Sequence, residues 1–222
     1  MKIVCITGID GAGKTTLAHE LVFSLKTEGK SSIYLYGRIY PMVSRILMVL
    51  GRSIWLNGKD QWCNYESYSI KKNETMRNRL LKWMYTSAIL VDFYPQIWLK
   101  LILHYYKGRI IVLDRYIYDT VISDLSAHLN YSMRETVKAI HLGLLILPTP
   151  DVTFLIDLPE EVAYSRKNDV PHIDYLKERR RWYQQIVSRP EVLKINGESP
   201  LEEIIEDMLE SINSLNGKGG ER

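Results

Sequence analysis

Gly8-Ile9-Asp10-Gly11-Ala12-Gly13-Lys14-Thr15 follows the apolar run Ile3-Val4-Cys5-Ile6-Thr7 and leads into a stretch of helical periodicity over 14–28. A glycine-rich turn of this spacing between a strand and a helix matches the Walker A phosphate loop. The glycines permit backbone conformations that aim successive N–H groups inward, and the helix N-terminus adds partial positive charge. Together Gly8, Ile9, Asp10, Gly11, Ala12 and Gly13 are expected to cradle the phosphates of a nucleoside triphosphate. Lys14 is expected to bridge the β- and γ-phosphates and the Thr15 hydroxyl to coordinate magnesium, while Thr16 packs beside them or touches the α-phosphate. A ligand-free glycine turn matching this pattern by chance is expected in roughly one chain of this length per hundred, and placement after the first strand lowers that further.

Outward from the loop, short β-branched runs alternate with longer segments of helical period, the pattern of βαβ units around a parallel sheet. Strands are expected at 3–7, 32–36, 109–113, 152–156 and 192–195, each apolar enough to be buried on both faces. Helices are expected at 14–28, about 66–106, 118–130, 132–145, 160–167, 172–188 and 200–214. The fold class is therefore α/β: a three-layer P-loop NTPase fold with a five-stranded parallel sheet flanked by helices. One domain is expected over 1–215, with a short lid near 166–175 and a flexible tail at 216–222. The stretch 37–60, with its apolar centre 42–50, is a candidate for a second, mobile lid over the acceptor.

Of the 222 residues, 46% are hydrophobic and 25% charged, as in ordinary soluble domains. The net charge of +3, with Arg179-Arg180-Arg181 the one dense basic block, argues against nucleic acid as a partner and leaves small acidic ligands. Most of that block reads as a solvated helix face, with Arg180 or a neighbour the candidate for facing phosphates. Cys5 and Cys63 have no metal or disulfide spacing, and residues 2–6 read as a strand before a glycine turn and not as a signal peptide, so a reducing cytoplasm is expected. Residues 98–106 are too short and too polar for a membrane span and suit core or a homodimer face.

The third expected strand ends in Asp114-Arg115-Tyr116, at the sheet edge where open α/β folds bind ligands. Asp114 suits holding magnesium through its water shell, and the planar fork of Arg115 suits clamping phosphate oxygens during transfer. The alternative is an Asp–Arg ion pair that caps the strand. His19, His104, His128, His141 and His172 are scattered, and transfer between phosphates needs no general base.

Three motifs carry a resemblance to the thymidylate kinase family of nucleoside-monophosphate kinases: the loop with its Asp10, Asp114-Arg115-Tyr116, and Asp157-Leu158-Pro159-Glu160-Glu161 followed by Arg166. The resemblance implies ATP and Mg²⁺, a small nucleotide acceptor with dTMP the leading candidate, and pairing of two chains through helices. By it, Asp10 receives the acceptor sugar's 3′-hydroxyl, Arg38 contacts the acceptor phosphate and Arg166 stacks on adenine. Arg166 and Lys167 are then the lid cations near the transferring group. Ile89 and Phe93 on the long helix and Asp119 fall on acceptor-side positions. The chain departs there from the family pattern: Phe93 stands for an arginine and Asp119 for a serine. Phe93 either stacks on a base or belongs to the core. A kinase for a deoxynucleoside or another monophosphate stays open, as does a nucleotide-binding switch that transfers nothing, although no Asn-Lys-x-Asp guanine motif occurs.

Overall fold

The five apolar runs pair as strands β1 Lys2–Gly8, β2 Ser32–Tyr36, β3 Ile110–Asp114, β4 Val152–Asp157 and β5 Val192–Asn196. The computed structural model describes residues 2–38, 40, 42, 44–45, 49, 78–105, 107–129, 131–167 and 170–217. All pairings are parallel, in the order β2-β3-β1-β4-β5. Among the described residues seven helices flank this sheet: α1 Lys14–Thr27, α2 Arg79–Tyr105, α3 over 117–129, α4 Met133–Ile146, α5 Glu160–Ser165, α6 Ile173–Gln184 and α7 Leu201–Gly217. The fold is that of an α/β P-loop NTPase.

Register places the functional edge. Ile6 lies opposite Asp114, Tyr36 opposite Asp114, Gly8 opposite Ile156 and Asp157 opposite Asn196, so all five strands end on one side. The chain leaves β1 toward β2 and later crosses to β4 on the other side of β1. That reversal opens a crevice at the carboxyl end of the central strand, where such sheets bind ligands.

The core forms on both faces of β1 and β3, where Ile3, Val4, Ile6, Ile111, Val112 and Leu113 are buried. Helix α2 adds Ile89, Phe93, Ile97 and Leu101, a stripe at four-residue spacing that covers one side of an α-helix. Its opposite side exposes Val91, Trp98, Leu99, Ile102 and Leu103. On a third stripe Asp92, Gln96 and Lys100 bond the backbone of the segment after β2. Asp92 Oδ2 accepts from Met42 N–H (2.9 Å), Ser44 N–H (2.8 Å) and the Ser44 hydroxyl (2.7 Å). Gln96 pairs with both backbone groups of Tyr40, and Lys100 donates to the Tyr36 and Arg38 carbonyls.

Several boundaries differ from the sequence expectation. Helix α3 is α-helical at Ile117–Asp119 and Ala127–Leu129 but a π-helix at Thr120–Ser126, which hydrophobic period alone does not distinguish. Helix α6 stops at Gln184, short of 188, and α7 runs on to Gly217, past the expected start of a tail. The basic run on α6 is not a solvated face. Arg179 is buried with its guanidinium on the Tyr175 ring, 3.3 Å from the centroid, and Arg180 is tied to Asp157 and Glu160, leaving Arg181 exposed. The expected lid over 37–60 lies mostly outside the described residues, as do the first part of the long helix, Cys63 and the final residues 218–222. No helix among the described residues is long and apolar enough to cross a membrane.

The two faces of α2 give a direct contrast. Phe93→Ala should lower unfolding free energy by about 3–5 kcal/mol through cavity formation, whereas Val91→Ala on the exposed face should change it by no more than about 0.5 kcal/mol. Urea unfolding of both variants measures the difference.

Candidate active site

The loop after β1 owes its shape to backbone that side chains cannot take. Gly11 has φ 87°, and a Cβ there would sit 2.4 Å from the Ala163 carbonyl oxygen, so the loop packs against α5 only through glycine. Gly13 precedes α1 without supplying a side-chain cap, which leaves first-turn N–H groups of the helix for a ligand.

Lys14 is buried at 4% exposure, and its ammonium donates to the carbonyls of Gly8 (2.8 Å) and Ile9 (2.6 Å). Burial and the neighbouring Arg115 push its pKa from 10.5 down to about 8, against the pull of Asp10, Asp119 and Asp114. Thr15 donates its hydroxyl to Asp114 Oδ2 at 2.6 Å, and Tyr34 donates to the same oxygen at 3.1 Å. Asp114 Oδ1 is buried without a hydrogen-bond partner. A hydroxyl and a carboxylate in contact, with one carboxylate oxygen unsatisfied, fit a hydrated magnesium ion, whose water shell would donate to that oxygen.

Arg115 is the one non-glycine residue with positive φ (72°) among those described, a conformation that costs on the order of 1 kcal/mol or more. Its Nη2 donates to Asp10 Oδ1 at 2.7 Å, and its Nη1 lies 3.7 Å from Asp119 Oδ1. Burial opposes charge on Asp10, but Lys14 and Arg115 outweigh it and hold the carboxyl well below the usual range. The Asp114–Arg115 sequence pair is thus not an ion pair with itself: Arg115 reaches the loop, while Asp114 reaches Thr15.

Asp119, expected on the acceptor side, is 1% exposed. It accepts from the Thr7 hydroxyl (2.8 Å), the Tyr183 hydroxyl (2.8 Å) and the Tyr116 N–H (3.2 Å). Burial raises its pKa despite Arg115, Lys14 and these donors. Ile89 and Phe93 are core residues, 1% and 0% exposed, with Phe93 edge-on to Tyr94. None of the three is open to a ligand in this structure; the core stripe of α2 claims two, and a hydroxyl-lined buried niche claims the third. Arg38 donates to Asp124 at 2.6 Å. Since π turns close i→i+5 bonds, Asp119 and Asp124 come nearer one face than they would on an α-helix.

A cleft of about 570 Å³ joins the loop from Gly11 to Thr16 with Arg115, Arg166 and Lys167, a volume usual for small-molecule sites. It is also lined by Gly197 and Ser199 from the turn after β5 and by Leu201 and Ile204 from the first turn of α7, which the sequence reading passed over. The available signal was Gly197 directly after a strand that ends on the same edge. Sequence reading also missed Tyr183 and Asp124. Arg180 serves to fix α6: it bonds Asp157 (2.8 Å) and Glu160 (2.6 Å), and Asp157 also accepts from Gln184 and Lys194.

The chain is similar along nearly its whole length to two archaeal proteins. It is 25% identical over 222 residues to a probable thymidylate kinase of Metallosphaera sedula, covering 97% of this chain and 94% of that protein. It is 24% identical over 223 residues to a probable thymidylate kinase of Archaeoglobus fulgidus, covering 96% and 95%. No protein-family model matches the chain.

The depressed Lys14 pKa is open to measurement. With ¹³C-labelled lysine, the Lys14 ε-carbon should titrate near pH 8, and Arg115→Ala should move the midpoint upward, because a like charge is removed and Asp10 is released. A midpoint near the ordinary lysine value in the parent chain would contradict the described geometry.

Proposed function

We propose that the chain is an ATP-dependent kinase of the thymidylate kinase type, transferring the γ-phosphoryl group of ATP to a (deoxy)nucleoside monophosphate, with dTMP the leading acceptor. What carries the reading is one juxtaposition: a phosphate-loop lysine, a Thr15–Asp114 pair with an unsatisfied carboxylate oxygen and an arginine salt-bridged to the loop share one sheet edge. The names of the two archaeal relatives point to the same chemistry.

In this mechanism the loop amides and Lys14 hold the triphosphate, and Gly197, Ser199, Leu201 and Arg166 enclose its nucleoside end. Thr15 and Asp114 would hold Mg²⁺, which would supply positive charge against the negative charge of the triphosphate. Asp10 orients the acceptor sugar, and Arg38 and Arg115 orient its phosphate. An acceptor phosphate oxygen forms a bond to γ-phosphorus as the bond to the β-bridging oxygen breaks, and the electron pair leaves with ADP. The acceptor oxygen is already anionic, so no proton need be removed. Arg115, with Arg166 and Lys167 from the segment before α6, supplies positive charge to the transferring oxygens and helps exclude water. The enzyme works in the cytoplasm as a homodimer, for which α2 offers Trp98, Leu99, Ile102 and Leu103 as an exposed apolar face.

A different acceptor gains support from one observation: Phe93 and Asp119, at the family's base-reading positions, are both buried. The deciding assay supplies labelled ATP and Mg²⁺ with dTMP, dUMP, UMP, CMP, AMP, GMP and the matching nucleosides. Label should appear in a nucleoside diphosphate. Label in no product, with ATP binding intact, would favour a non-catalytic switch. Lys14→Ala should reduce kcat/KM by about 10²–10³-fold.

The dimer has a separate check. Light scattering should give twice the chain mass for the parent, and Leu99→Glu should give a monomer that keeps its circular dichroism spectrum. A monomeric parent would refute the pairing.

A further inference from the structure

We propose that Tyr183 is a positioning residue for Arg115, acting through the buried carboxylate of Asp119 so that the seating of α6 is read at the arginine of the cleft. The Tyr183 side chain is 2% exposed, and its hydroxyl donates to Asp119 Oδ1 at 2.8 Å. That oxygen is also the one that faces Arg115, with Nη1 at 3.7 Å. The other oxygen, Oδ2, is claimed by the Thr7 hydroxyl and the Tyr116 N–H. Asp119 therefore has one oxygen fastened to β1 and the start of α3, and one shared between Tyr183 and Arg115. Burial and the nearby Asp119 push the Tyr183 hydroxyl pKa well up, so it stays a donor.

The shared oxygen explains why Arg115 bonds Asp10 at 2.7 Å while standing 3.7 Å from Asp119. Two carboxylates compete for one guanidinium, and the Tyr183 hydroxyl satisfies the buried competitor. Without that donor Oδ1 has Arg115 as its nearest cation, and the guanidinium is drawn inward, away from Asp10 and the cleft. Displacement of about 1 Å suffices to lower transfer rates strongly. Helix α6 is placed to transmit such a change: Arg180, one turn before Tyr183, ties it to Asp157 at the end of β4 and to Glu160 at the start of α5, the helix that leads to Arg166 and Lys167.

Only the kinetic arm of the test rests on the kinase reading. In the full chain, ¹⁵N NMR of arginine Nε–Hε groups, with the Arg115 signal assigned by its loss in Arg115→Lys, reports the guanidinium directly. In Tyr183→Phe that signal should shift and its Hε exchange with solvent should slow at least about tenfold, as a guanidinium drawn onto a buried carboxylate does. With the best acceptor, kcat should fall by about ten- to a hundredfold with KM for ATP and acceptor changed less than about threefold, the split that separates transition-state placement from binding. An unchanged Arg115 signal in folded Tyr183→Phe overturns the proposal, and so does a drop in thermal stability with kcat intact. A parent chain that phosphorylates nothing refutes the kinase reading, and the NMR arm still decides this one. If Tyr183→Phe does not fold, the same signal is read in Asp119→Asn, where an unaltered Arg115 again overturns it.

Discussion

The ladder between β1 and β3 ends where the Arg115 N–H donates to the Ile6 carbonyl at 3.0 Å, and the working edge of the molecule hangs on that register. Side chains in a strand alternate faces, so a slip of one residue would turn Asp114 away from Thr15. The same point governs the neighbouring strand, because the Gly37 N–H donates to the Asp114 carbonyl at 2.9 Å. A Cβ on Gly37 would lie 2.0 Å from the Arg115 carbonyl oxygen, so β2 leaves the sheet beside Arg115 only because that position is glycine. Arg115 itself takes a left-handed backbone to turn from the strand into α3, which aims its guanidinium back across the loop toward Asp10. Register, close approach and one strained residue thus act together at the end of β3.

Charge is gathered there without being neutralised by solvent. Lys14, Arg115, Asp10 and Asp119 are all largely buried, and burying such groups is tolerable only because each has a partner. At Lys14 burial, helped by the like charge of Arg115, outweighs the three nearby carboxylates and brings the pKa down to about 8. An anion entering the cleft would add a further negative charge and favour the charged form of Lys14.

The sequence carries the parts of this arrangement that depend on local chemistry. Gly11, Gly13 and Lys14 sit between a strand and a helix because loop geometry demands those residue types, and all five strands are legible from β-branched runs bounded by turns. It does not carry what depends on which side of an element faces the core. Phe93 could be read as stacking on a base or as core, and only the Ile89–Phe93–Ile97–Leu101 stripe in place decides for core. Arg179-Arg180-Arg181 looks like a solvated face by composition, yet Tyr175 and Asp157 take two of the three. Asp119 is the strongest case. A carboxylate four residues after Arg115 reads as a surface or ligand group, and its burial becomes intelligible only when Thr7 and Tyr183, distant in sequence, arrive to hydrogen-bond it. The π-helical turn that follows it leaves no mark in a hydrophobic period.

With Ile89, Phe93 and Asp119 inside the core, the proposed acceptor is left to groups placed by α2 and α3. The α2 ladder of Asp92, Gln96 and Lys100 holds the segment after β2 by the backbone groups of Tyr36, Arg38, Tyr40, Met42 and Ser44, and by the Ser44 hydroxyl. It thereby fixes where Arg38 projects, and Asp124 on the π-helical turn meets it at 2.6 Å. An acceptor phosphate that engages Arg38 must compete with that carboxylate, and its advantage is charge, because a dianion offers more oxygens and more negative charge than a single carboxylate does. Under the proposed function, Asp124 then discriminates by charge before any base is read: a weakly charged acceptor leaves the Arg38–Asp124 pair closed, and a monophosphate opens it.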